Sequence, residues 1–262
     1  MPTACPQAYI DFAHALADAS GGIIRGHFRT PFAVEDKPDA SPVTVADREA
    51  ERAMRAMIAD RYPRHGIVGE EFGNERPDSP EVWVLDPIDG TRAFVAGKPI
   101  FGTLIALLRD ARPVLGIVDQ PVLGERWVGA AGAGSRFCGQ AVATRGCADI
   151  ARAILNTTSP ELFQGADRDA FGRLSRSVRS TGYGGDCYAY GLLASGHIDL
   201  VVEAGLKTYD FCALVPVVEG AGGRITDWRG EALGPRSDGR VIAAGDPRIH
   251  EEALELLAGG TN

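Results

Sequence analysis

The stretch Trp83-Val84-Leu85-Asp86-Pro87-Ile88-Asp89-Gly90-Thr91 is the part of the chain best equipped for chemistry. An apolar run ends in a carboxylate, a proline turns the backbone, and a second carboxylate stands three positions on. Carboxylates held that close repel one another unless a cation lies between them. An all-oxygen ligand set selects a hard ion such as Mg²⁺. Gly90 and Thr91 open a short helix, whose bare N–H groups would meet an anion. One turn therefore has the means to hold a metal and a phosphate together. The same residues also fit a plainer role, Asp86 capping a turn and Asp89 capping a helix.

Two other acidic stretches bear on that choice. Gly69-Glu70-Glu71-Phe72-Gly73 sets adjacent acids between glycines after a strand end, which alone reads as a surface loop. Tyr209-Asp210-Phe211-Cys212-Ala213 puts one acid at the start of an apolar helix, where aspartate commonly caps. Several other chemistries fail on spacing. A nucleophilic-aspartate phosphatase needs its acids two residues apart, not the three of Asp86 and Asp89. Gly90 to Lys98 does not have P-loop spacing, and no acidic run alternates as in an EF-hand loop. His14, His27, His65, His197 and His250 form no ligand pair, and no G-x-S-x-G occurs.

The elements that must position these residues belong to a chain of 262 residues, 45% apolar and 24% charged. That is enough for one large domain or two intimate subdomains. Its 27 Lys and Arg against 35 Asp and Glu give a net charge of −8, which disfavours a nucleic-acid partner. No apolar run reaches the ~18 residues of a bilayer span, and the N-terminus has no signal-peptide pattern. Five scattered cysteines without a C-x-x-C pair suit reduced thiols, so a cytoplasmic protein away from membranes is expected.

Apolar spacing predicts a helix over Pro6 to Phe28, weakened at Gly21-Gly22, then a proline-punctuated loop from Pro31 to Pro42. A second helix runs from about Asp47, with the aspartate capping its start, to Arg61. Strands follow at Val82–Leu85, Gly102–Leu108 and Pro113–Asp119, then around Trp127 and Phe137. Beyond them, strands at Ala153–Thr157, Val178–Ser180, Ile198–Glu203, Arg224–Thr226 and Val241–Ala244 alternate with helices. Those helices fall near Asp167–Ser175, Asp186–Ala194, Asp210–Gly220 and Pro247–Leu257. The pattern is mixed α/β (α+β), with a subdomain boundary near residues 139 to 150.

Taken together and in order, Gly69-Glu70-Glu71, Trp83 to Thr91 and Tyr209-Asp210 resemble the inositol monophosphatase family of Mg²⁺-dependent, lithium-sensitive phosphatases. The likeness runs along nearly the whole chain. It implies the layered α/β/α/β/α sandwich shared with fructose-1,6-bisphosphatases. Residues 1–140 would form an N-terminal subdomain with the metal and phosphate site, and residues 141–262 a C-terminal subdomain closing the substrate pocket. By the same resemblance Glu70, Asp86 and the Ile88 carbonyl would hold one Mg²⁺, and Asp86, Asp89 and Asp210 a second. A third, weaker ion would lie near Glu70. Thr91 and Asp47 would orient the attacking water, placing them with Glu70 among the catalytic residues. Gly90 and Thr91 N–H groups would hold the phosphate, and a homodimer is implied.

Within the family the likeness is to the histidinol-phosphate phosphatase branch. Lys37 to Asp47, Gly97 to Leu107, Gly116 to Pro121, Gly185 to Tyr190 and Asp199 to Glu203 carry it. Ala96 departs from the general signature, which usually has a polar residue there, and Leu214 from the small residue of inositol-type members. The resemblance places the substrate's organic part near Asp186, Glu203 and Asp89. Carboxylates there favour an ammonium or imidazolium over a neutral polyol, unless Asp186 merely caps the following helix. Histidinol phosphate is thus the expected substrate, in histidine biosynthesis. The alternatives are inositol 1-phosphate, a broader sugar or nucleotide phosphomonoester, or a non-catalytic metal-dependent binding protein on the same fold. Of the three lysines, Lys37 falls on a loop that approaches the metal site in relatives, though a solvated loop position serves it as well.

Overall fold

The computed structural model describes residues 4–31, 34–36 and 42–259. Its elements run α1 (Gln7–His27), β1 (Val34–Asp36), β2 (Pro42–Thr44), α2 (Val45–Arg61), β3 (Gly66–Gly69), β4 (Gly73–Glu75), β5 (Glu81–Asp89) and α3 (Thr91–Val95). Then come β6 (Gly102–Arg109), β7 (Arg112–Gln120), β8 (Glu125–Ala130), β9 (Gly134–Phe137) and β10 (Gln140–Ala141). The remainder is β11 (Ile154–Thr157), α4 (Ala166–Ser177), β12 (Ser180–Tyr183), α5 (Asp186–Ala194) and β13 (Leu200–Glu203). It closes with α6 (Thr208–Phe211), α7 (Leu214–Gly220), β14 (Arg224–Thr226), β15 (Val241–Ala244) and α8 (Pro247–Ala258).

Two sheets carry the fold: eight strands in the order β10-β9-β8-β7-β6-β5-β3-β4, and five in the order β12-β11-β13-β15-β14. The larger is antiparallel except where β3 lies parallel to β5. Strand alternation sorts its side chains onto two faces. Trp83 and Leu85 join Ile105, Leu107 and Ile117 under α1 and α2, meeting Ala13, Leu16, Met54 and Ile58. Val82, Val84, Leu104 and Val118 point the other way, into a core with Leu193 of α5, Val217 of α7 and Val201 and Ala243 of the second sheet. The far face of that sheet buries Leu155, Val202 and Ile242 against Phe171 and Leu174 of α4 and Ile249 and Ala253 of α8. Helix, sheet, helix, sheet and helix layers result, the sandwich expected from the sequence.

The middle helix layer sits directly on backbone. A Cβ on Gly116 would lie 1.9 Å from Ala213 O, and one on Gly129 2.1 Å from Pro216 O. Glycine at both positions lets the first turn of α7 and the residue before it press onto β7 and β8.

The structure adjusts several boundaries. Gly21-Gly22 does not break α1, because Gly21 packs against Pro121, 3.0 Å from where a Cβ would stand. The expected loop before α2 holds the short antiparallel pair β1 and β2. Thr44, not Asp47, is the N-cap of α2, and Asp47 reaches back from the third helical position. The helix expected over Asp210–Gly220 divides into α6 and α7, and the strand expected at Val178 starts only at Ser180. Lys37 lies outside the described residues. All five cysteines are free, and no described helix is long and apolar enough to cross a membrane.

Candidate active site

The strand predicted to stop at Leu85 runs through to Asp89, and its last turn of sequence is a bulge. Between Asp86 and Asp89 β5 advances three residues while β6 advances two, from Leu104 to Gly102. In an unbroken strand, residues three apart face opposite sides of the sheet. The extra residue resets that parity, so both carboxylates turn to one cleft. Pro87 has no N–H to give the ladder and is tolerated in the bulge. Its carbonyl accepts from Thr103 Oγ1 at 2.7 Å.

Neighbouring elements bring the other acids. Gly69 pairs beside Leu85, and Glu70 N donates to Leu85 O at 3.2 Å, which sets Glu70 next to Asp86. Asp210 comes from α6, where its Oδ2 accepts from Lys207 N at 2.6 Å. Single oxygens of Asp86, Asp89 and Asp210 lie within 4.8 Å of one another. Burial, then the charges of Glu70, Asp89 and Asp210, push the Asp86 carboxyl well above its ordinary range. Burial, then Asp186 and Asp210, do the same to Asp89. Asp210 is pushed up to about 7, first by burial, against the hydrogen bond from Lys207. Acids so crowded are relieved by a divalent cation, and an oxygen-only donor set fits Mg²⁺. The Ile88 carbonyl is a further oxygen here; it accepts from Thr91 Oγ1 at 3.0 Å.

These shifts fix a pH dependence. A carboxyl whose folded pKa is raised favours the fold while protonated, and that contribution is lost as pH climbs through the folded value. In EDTA the melting temperature should therefore fall between pH 5 and 8, the range spanned by Asp210 near 7 and Asp47 and Asp186 near 6. Mg²⁺ competes with those protons, so it should raise Tm by about 5 °C or more at pH 8 and by little at pH 5. Thermal melts across pH with and without Mg²⁺ check this; equal Mg²⁺ shifts at both ends would refute it.

A residue not singled out in the sequence holds the Glu70 loop. Glu51 of α2 is fully buried and accepts from Glu71 N at 2.7 Å, Phe72 N at 3.2 Å and Arg55 Nε at 2.7 Å. A Cβ on Gly69 would stand 2.1 Å from its Oε1, so glycine makes room for it. Its signal was an acid on the buried stripe Ala46, Ala50, Met54 and Ile58. Glu51→Ala strands two backbone donors and a half-buried guanidinium, a loss of about 3 kcal/mol or roughly 6–12 °C in Tm. A melt within 1 °C of the parent would contradict that role.

Asp47 and Thr91 are not hydrogen-bonded to each other. Asp47 Oδ2 accepts from Thr44 N at 2.9 Å and Thr44 Oγ1 at 2.6 Å, while buried Oδ1 has no partner. Burial lifts this carboxyl to about 6, and the charge of Glu70 adds to the rise. Thr91 starts α3, with Gly90 before it at φ +87°. A Cβ on Gly90 would stand 2.9 Å from Asp186 Oδ2, so glycine lets this turn close on the start of α5. There Asp89 Oδ2 accepts from Cys187 N at 2.5 Å.

Asp186 does not cap α5. Gly185 holds the N-cap position, no side-chain cap bond is made, and Asp186 is the first helical residue at φ +42°. Its carboxyl is raised to about 6 by burial, within reach of the Thr158 hydroxyl and tempered by Arg92. Glu203 ends β13, where Oε1 accepts from Thr158 N at 2.8 Å and Thr158 Oγ1 at 3.0 Å. Burial raises it to about 8. Asp186 and Glu203 thus line one pocket with Asp89 and Asp210. The wider cleft outside it reaches Glu70, Gly90, Thr91, Arg92 and Lys98. The histidines serve elsewhere: His65 meets Trp83, His14 meets Arg126, and His250 meets Thr226.

Carboxylates clustered from the end of β5 and from α6, opening on a cleft edged by Arg92 and Lys98, define the class: a cation-assisted site for phosphate chemistry on a layered α/β scaffold. The chain belongs to the inositol monophosphatase family, which matches residues 6–260. Members are metal-dependent phosphatases of small phosphorylated substrates. Over 253 residues the chain is 51% identical to the bifunctional phosphatase IMPL2, chloroplastic, of Arabidopsis thaliana, covering 93% of this chain and 73% of that one. It is 35% identical over 260 residues to a histidinol-phosphatase of Mycobacterium tuberculosis, covering 95% and 97%. A solved inositol monophosphatase from Zymomonas mobilis is 52% identical with a TM-score of 0.90, covering 96% of this chain and 98% of that one.

Proposed function

We propose that the chain hydrolyses histidinol phosphate to histidinol and phosphate in a Mg²⁺-dependent reaction. The observation that carries this reading is the pair Asp186 and Glu203 facing the pocket beside the acidic cluster. A substrate with a cationic arm answers those carboxylates, and a neutral polyol does not. Likeness to a histidinol-phosphatase and to a bifunctional phosphatase supports it. Inositol 1-phosphate is the second reading, favoured by the 52% identity to the Zymomonas mobilis protein.

Under the proposal Glu70, Asp86, Asp89, Asp210 and the Ile88 carbonyl would hold two or three Mg²⁺. When bound, the metal supplies Lewis acidity and lowers the pKa of water. The protein's own groups do the rest. Gly90 and Thr91 N–H groups cradle the phosphate at the start of α3. The Thr91 hydroxyl, turned from the Ile88 carbonyl to the orphaned Asp47 Oδ1, leaves its oxygen to orient the attacking water and Asp47 to take up the proton. No side chain is needed as nucleophile. Residues 1–140 contribute most of the acids and residues 141–262 close the substrate pocket. A homodimer belongs to the same proposal and rests on the family likeness alone, while a cytoplasmic setting rests on the five free cysteines.

The test is phosphate release from histidinol phosphate and inositol 1-phosphate side by side, with Mg²⁺ and with EDTA. A preference of at least ~100-fold in kcat/KM for histidinol phosphate, about 2.7 kcal/mol, is expected. Comparable rates would withdraw the substrate assignment, and no Mg²⁺-dependent release would withdraw the activity.

A further inference from the structure

Six buried side-chain polar atoms lack a hydrogen-bond partner among the described residues, and two of them, the Tyr190 hydroxyl and Glu203 Oε2, line the same pocket. Both residues are 2% exposed. Leaving such groups unpaired in a folded interior is costly, and a pair of them in one cavity points to a ligand that completes them. Tyr190 stands four positions after Asp186 on α5, so the two side chains share a helix face. Glu203 is fixed from behind, its other oxygen already holding Thr158 N and Thr158 Oγ1. Leu162, Leu206 and Leu214 line the pocket around them.

We infer that the Tyr190 hydroxyl is a specificity-determining group that, with Glu203 Oε2, grips the edge of a neutral imidazole ring on the substrate. The inference deepens the proposed function and rests on it. A neutral imidazole offers one N–H donor and one bare nitrogen acceptor on opposite edges of an otherwise apolar disc. Glu203 Oε2 and the Tyr190 hydroxyl meet the two ring nitrogens, one accepting the N–H and the other donating to the bare nitrogen, and the leucines cover the faces. A ring with a hydroxyl on every carbon would leave several of them against leucine without partners. Asp186, one helical turn away, remains for the substrate's ammonium.

The test is Tyr190→Phe, which removes the hydroxyl and keeps the ring. In the Mg²⁺-loaded enzyme its kcat/KM should fall about 30-fold further on histidinol phosphate than on glycerol 2-phosphate, mainly through KM. Without ligand the variant should melt no lower than the parent, since the lost hydroxyl had no partner. L-histidinol should raise the Tm of the parent and much less that of Tyr190→Phe. Equal losses on both substrates, or an unliganded Tm several degrees lower, would overturn the inference. A parent enzyme with no preference for histidinol phosphate would overturn the functional reading instead. The histidinol-induced shift then decides the inference alone: lost in Tyr190→Phe it stands, and equal in both or absent from both it falls.

Discussion

Asp89→Asn should lower kcat by about a thousandfold or more, some 4 kcal/mol of transition-state stabilisation, while leaving the protein folded. The substitution is isosteric, and an amide oxygen can still accept from Cys187 N, the bond that ties the end of β5 to α5. What disappears is charge. Asp89 is held well above its ordinary range by burial and by Asp186 and Asp210, so its ionised form strains the metal-free protein. Removing it should leave the melting temperature in EDTA unchanged or raised, and should shrink the stabilisation that added Mg²⁺ provides. That combination separates a lost ligand from a damaged fold. Mg²⁺-dependent turnover within tenfold of the parent would defeat the assignment of Asp89 to the metal.

The acids themselves were legible because their spacing is local. Asp86, Asp89 and the glycine after them stand in one run, and Glu70 and Asp210 each sit beside a recognisable element end. How Asp86 and Asp89 come to face one way was not legible. Three-residue spacing reads as a turn, and only the two-residue advance of β6 opposite reveals a bulge. Parity along a strand is a property of two strands, and a pattern read along one chain segment misses it. Glu51 was hidden for a related reason: its meaning depends on a loop some twenty residues away, Glu71 and Phe72, that only the folded chain presents to it. Tyr190 reads as one more apolar position on a helix. Its orphaned hydroxyl exists only because α5 lies between the two sheets and begins at the pocket. The overall layering fared better, since alternation along β5 already separates Trp83 and Leu85 from Val82 and Val84.

The role of Asp186 decides the substrate, and Asp186→Asn is the variant that isolates it. Alanine would confuse two effects, because Asp186 sits at φ +42°, a region that asparagine and aspartate tolerate and alanine resists. Asparagine keeps the backbone and can still meet the Thr158 hydroxyl, so the change is confined to charge. Gly184 and Gly185 before it, at φ +85° and +113°, feed the chain into this corner and leave the carboxylate facing Gly90 rather than capping α5. A carboxylate so placed attracts a cation on the substrate and gives nothing extra to a neutral alcohol. The loss of kcat/KM on histidinol phosphate should therefore exceed the loss on glycerol 2-phosphate by about 100-fold, or 2.7 kcal/mol. The excess should appear chiefly in KM, because the ammonium carries the same charge in the ground and transition states. Parallel losses on the two substrates would mean that Asp186 acts through Gly90 and the phosphate turn rather than on the organic arm.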